Sequence, residues 1–207
     1  MIKTIIFGGT FDPVHNGHIG MASDLINSGI AEEIIFLPTW SPPHKTNLKI
    51  TLFQHRFKML KLATKDLKNC IVSDFELQEK QEPSYSINTI YKLKKKYPAK
   101  KLYFLMGLDS LHELHTWYKA DIFIKENDFI IFNRPGLSFP SVTLLTRQFS
   151  EESAKKLLSS VVKITEYPIS STEIRQKLAL KKKISTLLPI SVLNYIKTNK
   201  LYLESTT

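Results

Sequence analysis

The chain's 207 residues, 43% hydrophobic and 23% charged, suffice for one large domain or one domain with a helical appendage, and a single core is expected. Cys70 has no mate for a disulfide, and no run approaches the ~18 apolar residues of a membrane span, so a cytoplasmic protein is expected. The 29 Lys+Arg against 19 Asp+Glu give a formal net charge of +10, which favours nucleic acid, a membrane surface or phosphorylated small molecules as partners and does not choose among them.

Residues 2–8 are β-branched and aromatic, stop at Gly8-Gly9 and predict a buried strand. Residues 17–28 carry Ile19, Ala22, Leu25 and Ile26 at helical spacing before Gly29. "EEIIFLPT" predicts a second strand, 52–65 a helix and 70–73 a short strand; 86–97 repeat Ile87, Ile90, Leu93 and Tyr97 as a helix, and "KLYFLMG" reads as a strand. A helix over 108–114, a turn at Trp117-Tyr118 and the strand "DFIIFNR" follow. Residues 137–160, Ser/Thr-rich and then helical, are expected to run over the surface. "VVKITEY" predicts a last strand, and "SSTEIRQKLAL" and "PISVLNYIKTN" two closing helices. Strands alternating with helices predict an α/β architecture, a doubly wound parallel sheet, as one domain over 1–207 with 168–207 a small helical subdomain packed on it.

The chain has only seven glycines and six histidines, yet "GGTFDPVHNGH" places three of the former and two of the latter between a strand and a helix. In an open parallel sheet such a loop lies at the ligand crevice, and the helix that follows aims its free N–H groups at an anion. Glycines admit the backbone closely, and His15 and His18 can hydrogen-bond phosphate oxygens, so the loop predicts a phosphate cradle. It matches neither the P-loop nor the dinucleotide fingerprint. A tight turn with a packed His18 is the plainer alternative; a zinc site lacks thiolates. "ISSTEIR" is a second candidate: Ser170, Ser171 and Thr172 can cap a helix start facing phosphate, with Arg175 one turn further, or Ser170 and Glu173 form an ordinary capping box.

The first stretch resembles the signature of the nucleotidylyltransferase superfamily, its H-x-G-H element being His15-Asn16-Gly17-His18, and "ISSTEIR" resembles the second motif. "PTWSPPHK", "YSINTI", "MGLDSLHELHTWYK" and the closing "PISVLNYIKTNKLY" are similar to patterns of the nicotinate mononucleotide adenylyltransferases. The resemblance implies a Rossmann-like nucleotidylyltransferase fold. The implied reaction joins ATP and nicotinate mononucleotide into nicotinic acid adenine dinucleotide and pyrophosphate, with Mg²⁺ carried by the ATP phosphates and no protein-held metal. Pantetheine-phosphate adenylyltransferase, the related alternative, ends its second motif with Lys where Arg175 stands here and lacks the Trp117 segment.

The same resemblance assigns His15, His18, Lys45 and Arg175 to catalysis, with His18 stabilising the transition state at the α-phosphorus. It assigns Gly8, Gly9, Thr10, Phe11, Gly17, Gly107, Asp109, Ser170, Ser171, Thr172 and Arg134 to ATP, and Asp12, Ser86, Trp117 and Tyr118 to the mononucleotide. The residues themselves leave alternatives. Lys45 can be a solvated loop lysine, Trp117 core packing, Asp109 a helix cap, and Arg134 a strand end. His112 and His115 have a metal pair's spacing and read better as solvent-facing helix residues. A basic nucleic-acid-binding protein without catalysis is the rival class, but no recognisable binding module supports it, and neither nucleic acid nor membrane is an expected partner. A homo-oligomer is compatible with all of this.

Overall fold

The computed structural model describes residues 1–42, 50–80, 82–133 and 138–203. Six strands, β1 (Ile2–Gly9), β2 (Glu33–Pro38), β3 (Cys70–Val72), β4 (Lys100–Gly107), β5 (Asp128–Phe132) and β6 (Val161–Val162), form one sheet in the order β3-β2-β1-β4-β5-β6. Every pairing is parallel. The order runs outward in both directions from the β1/β4 junction, so the connections leaving these two strands diverge and open a crevice at their carboxyl ends. Gly9 and Gly107 end the two strands there.

Successive side chains of a strand face opposite ways, and the core divides accordingly. Ile5, Phe7, Ile34 and Phe36 point to one face, where they meet α1 (Asn16–Asn27), α2 (Phe53–Ala63), α9 (Ser171–Ala179) and α10 (Ile190–Thr198) through Leu25, Leu60, Ile174 and Ile196. Ile6, Ile35, Phe104 and Ile131 serve the other face with Ile90 and Leu93 of α4 (Ser86–Lys96), Leu111 of α5 (Leu108–Glu113) and Phe123 of α6 (Ala120–Glu126). Such two-sided burial is why the strands carry continuous apolar stretches such as Ile5-Ile6-Phe7 and Phe129-Ile130-Ile131-Phe132 instead of alternating.

One expected element is cut short and others are added. Within 138–160, α7 (Val142–Gln148) and α8 (Glu151–Ser159) keep one side exposed and bury Leu145, Ala154 and Leu157 in the second core, their starts capped by Ser141 and Ser150. The last strand stops at Val162, because the chain then leaves the sheet and lays Tyr167 over α1. There the Tyr167 hydroxyl donates to Asp24 at 3.0 Å, and a Cβ on Gly20 would stand 2.3 Å from the ring, so only glycine fits beneath it. Finally, α3 (Phe75–Glu79) and α6 are short helices that periodicity did not reveal.

Candidate functional site

Helix α1 starts one short loop beyond β1, with His15 as its N-cap in extended conformation. The His15 carbonyl accepts the N–H groups of His18 and Ile19, while its own N–H donates to Nδ1 of His18 at 3.2 Å. A ring nitrogen that accepts carries no proton, so His18 bears its proton on Nε2 and can donate from there. The two imidazoles stack with centroids 3.7 Å apart, and the His18 ring also rests on Phe11 at 5.0 Å and Phe7 at 5.8 Å. Both histidines of the H-x-G-H element are thus held by backbone and ring contacts at a helix start.

The far end of the chain closes on the same loop. Arg175 Nη1 donates to the Asp12 carbonyl at 2.7 Å, and Ser171 Oγ donates to the Pro13 carbonyl at 2.8 Å. Asn16 adds two bonds, from its backbone N–H to the Leu187 carbonyl and from its side chain to that of Thr186. Ser170 caps α9 by accepting the Glu173 N–H, and Thr172 Oγ1 accepts from Arg175 Nη2. These hydroxyls tie the second motif to the first and to itself, and Ser170 and Thr172, accepting in these bonds, keep an O–H to donate. The segment can offer an anion those hydroxyls, the first-turn N–H groups of α9 and the guanidinium.

Asp12, expected at the mononucleotide, is tied into the protein by its side chain. Its side chain is 5% exposed; Oδ1 accepts from the Tyr202 hydroxyl at 2.6 Å and Oδ2 from the Thr51 N–H at 3.2 Å. Burial, and then the neighbouring Asp12 charge, push the Tyr202 pKa up, which keeps that hydroxyl a donor. Asp12 therefore ties the motif loop to the foot of α2 and to the carboxyl-terminal segment. Tyr202→Phe is expected to remove a bond to a buried charge and to lower stability by about 2 kcal/mol, a drop in Tm of about 4–8 °C in thermal unfolding.

Between β1, β2 and α4 lies a cavity of about 540 Å³. Gly8, Gly9 and Thr10 form one side, Thr39 and Glu76 another, and Tyr85, Ser86, Trp117 and Tyr118 a third. Trp117 is half-buried, stacked on Phe123 at 6.0 Å and edge-on to Phe104 at 6.1 Å. It therefore packs against the core and lines the cavity at once. Tyr85 and Tyr118 stack at 4.4 Å, which fixes the start of α4 against the Trp117 turn. At the end of β4 the Asp109 side chain folds back over Gly107, where a Cβ would meet Oδ1 at 2.5 Å.

Two clusters emerge, then: Gly8–Thr10 with Ser86, Trp117 and Tyr118 around the cavity, and His15, His18, Ser171 and Arg175 around the start of α1. Lys45 and Arg134 lie outside the described residues. Sequence reasoning overlooks Arg56 and Glu76. Glu76 accepts the Trp40 N–H and the Thr89 hydroxyl, both at 2.9 Å, and so braces the cavity wall. A glutamate in a five-residue helix gives no signal of that role.

The cytidylyltransferase-like family model matches residues 6–177. A probable nicotinate-nucleotide adenylyltransferase of Clostridium tetani is 36% identical over 202 residues, covering 98% of this chain and 100% of that protein. The nicotinate-nucleotide adenylyltransferase of Bacillus subtilis is 38% identical, with 98% and 99% covered. Among solved structures, Plasmodium falciparum nicotinic acid mononucleotide adenylyltransferase complexed with NaAD superposes with a TM-score of 0.76 at 21% identity, 98% of each chain being covered; at that identity it speaks for the fold.

Proposed function

The chain belongs to the cytidylyltransferase-like family and, with its curated relatives, to the nicotinate-nucleotide adenylyltransferases, and from that premise we propose that it transfers AMP from ATP to nicotinate mononucleotide in NAD biosynthesis. An oxygen of the mononucleotide phosphate attacks the α-phosphorus in line. The bond from that phosphorus to the bridging oxygen breaks, and pyrophosphate leaves with the electron pair. Nicotinic acid adenine dinucleotide is the other product. Positioning and charge neutralisation carry such a step, so no covalent intermediate on the protein is needed.

In this proposal His15, His18 and Arg175 act on the ATP phosphates, with Lys45 as a further cation. The Gly8–Gly17 loop, the start of α9, Gly107, Asp109 and Arg134 hold the rest of ATP. Ser86, Trp117 and Tyr118 receive the nicotinate ring, a flat aromatic face and nearby backbone donors suiting a pyridine carboxylate. The donor substrate is MgATP, the ion arriving on the phosphates; among the described residues there is no group of three or more His, Cys, Asp or Glu suited to hold a metal. We assign the reaction to the cytoplasm, and no helix among the described residues is long and apolar enough to cross a membrane.

The observation that carries this reading is the pair of bonds from Arg175 and Ser171 to the Asp12 and Pro13 carbonyls, which brings together the two helix starts to which the proposal gives the phosphates, near a cavity walled by an indole. The test is pyrophosphate release from ATP with nicotinate mononucleotide, its amide or phosphopantetheine as acceptor. Strong preference for the acid is expected, because donors set for a carboxylate gain from its charge. Indifference between acid and amide, or preference for phosphopantetheine, overturns the acceptor. Trp117→Ala is expected to raise KM for the mononucleotide about tenfold, far more than KM for ATP, through loss of stacking surface; equal effects on both substrates displace the ring from this wall.

A further inference from the structure

Arg56, on α2, is 2% exposed, and its guanidinium donates to three backbone carbonyls: Thr51 from Nε at 2.8 Å, Thr10 from Nη1 at 2.7 Å and Thr39 from Nη2 at 2.9 Å. Burial pulls its pKa down while Asp12, Tyr202 and Glu76 act in the opposite direction, and an arginine remains charged under such opposing influences. Burying a cation is costly unless all its donors are used, and here each edge of the planar fork meets an oxygen. Thr10 and Thr39 both line the cavity, so the side chain spans the outside of its wall.

The Thr10 oxygen belongs to the peptide that enters Phe11, and Phe11 has φ +50°, in the left-handed region that a bulky residue rarely adopts. This torsion sets how that peptide plane is turned against the Phe11 side chain. With its oxygen drawn to Arg56, the plane cannot swing to a relaxed negative φ without breaking a charge-assisted hydrogen bond. So turned, the Phe11 ring packs edge-on against Phe7 at 5.5 Å, Phe36 at 5.8 Å and the imidazole of His18 at 5.0 Å. The seat of His18 thus depends on a turn that the bare sequence of the loop disfavours.

We propose that Arg56 is a positioning residue for adenylyl transfer: by locking the left-handed turn at Phe11 it holds the His18 imidazole where it can donate to the phosphates. It acts through Thr10 and Phe11, and the proposal rests on the role assigned to His18 above.

Arg56→Ala and Arg56→Lys test it. In folded Arg56→Ala, kcat is expected to fall about 10²-fold with KM for both substrates within about threefold, the effect of a small misplacement in the reacting geometry. Millimolar guanidinium, which fits the vacated volume, should restore kcat at least about tenfold where ammonium does not. Arg56→Lys should fall between the two, since one ammonium cannot reach all three oxygens. In the ligand-free protein, the ¹⁵N resonances of the His18 ring should move in both variants.

Wild-type kcat per folded molecule, or lost kcat with unmoved His18 resonances, overturns the proposal. Should Arg56→Ala fail to fold, Arg56→Lys carries the same comparison. Absence of pyrophosphate release by the wild-type protein with nicotinate mononucleotide sinks the functional assignment instead, and the His18 resonances then decide the positioning role by themselves.

Discussion

Replacing His18 by alanine is expected to lower kcat by about 10²-fold or more, with KM for ATP little changed and the fold intact. The magnitude follows from what the ring supplies: its Nδ1 is occupied by the His15 N–H, so the proton sits on Nε2, a fixed donor that needs no reorganisation as charge grows on the phosphate oxygens. The fold is expected to survive because the ring lies at the edge of an aromatic cluster, and losing its bond to the His15 N–H costs about 1 kcal/mol, or about 2–4 °C in Tm.

His18→Gln separates the two tasks. His18 is the third residue of α1, the position from which a Gln oxygen reaches back to the N-cap N–H, leaving the amide NH₂ to donate. Gln should therefore restore the melting temperature and part of kcat, measured by initial rates of pyrophosphate release. Near-normal turnover of the alanine variant removes His18 from the chemistry.

The sequence made the strands and the two motif loops legible because both are local. Ile5-Ile6-Phe7 is an apolar run that only a two-sided sheet position satisfies, and the glycines after it announce a turn whatever surrounds them. Ser170 caps α9 through a contact three residues away, and that too is written locally. Arg56 is the opposite case. In "FQHRFKML" it reads as an exposed helix cation, since its three acceptors lie at Thr10, Thr39 and Thr51, and only the assembled fold brings them to one point. Asp12 is alike: a carboxylate in a motif loop suggests a ligand contact, and nothing local shows its bond to Tyr202, 190 residues away. The stretch 138–160 was legible only in part. Its polar start conceals α7, whose main buried anchor is Leu145, too sparse a pattern for periodicity to detect.

Arg175→Met is expected to lower kcat/KM for ATP by about 10³-fold, because the guanidinium is asked to do two things at once. Its charge attracts the triphosphate, and its Nη1 bond latches α9 to the Asp12 carbonyl, holding the first-turn N–H groups of that helix beside α1. Arg175→Lys divides these contributions. A lysine keeps the charge, so much of the ATP affinity should return as a lower KM. It cannot hold the Asp12 carbonyl and the Thr172 hydroxyl in one plane, so kcat should stay depressed about tenfold or more. Thermal unfolding keeps the comparison clean: Ser171 still bonds the Pro13 carbonyl and Ile174 still fills its core position, so both variants should melt within a few degrees of the wild type. A lysine variant with wild-type kcat leaves the latch without a part in turnover and Arg175 as a simple counter-charge; one that loses ATP affinity as fully as methionine makes geometry, and not charge, the reason an arginine stands at this position.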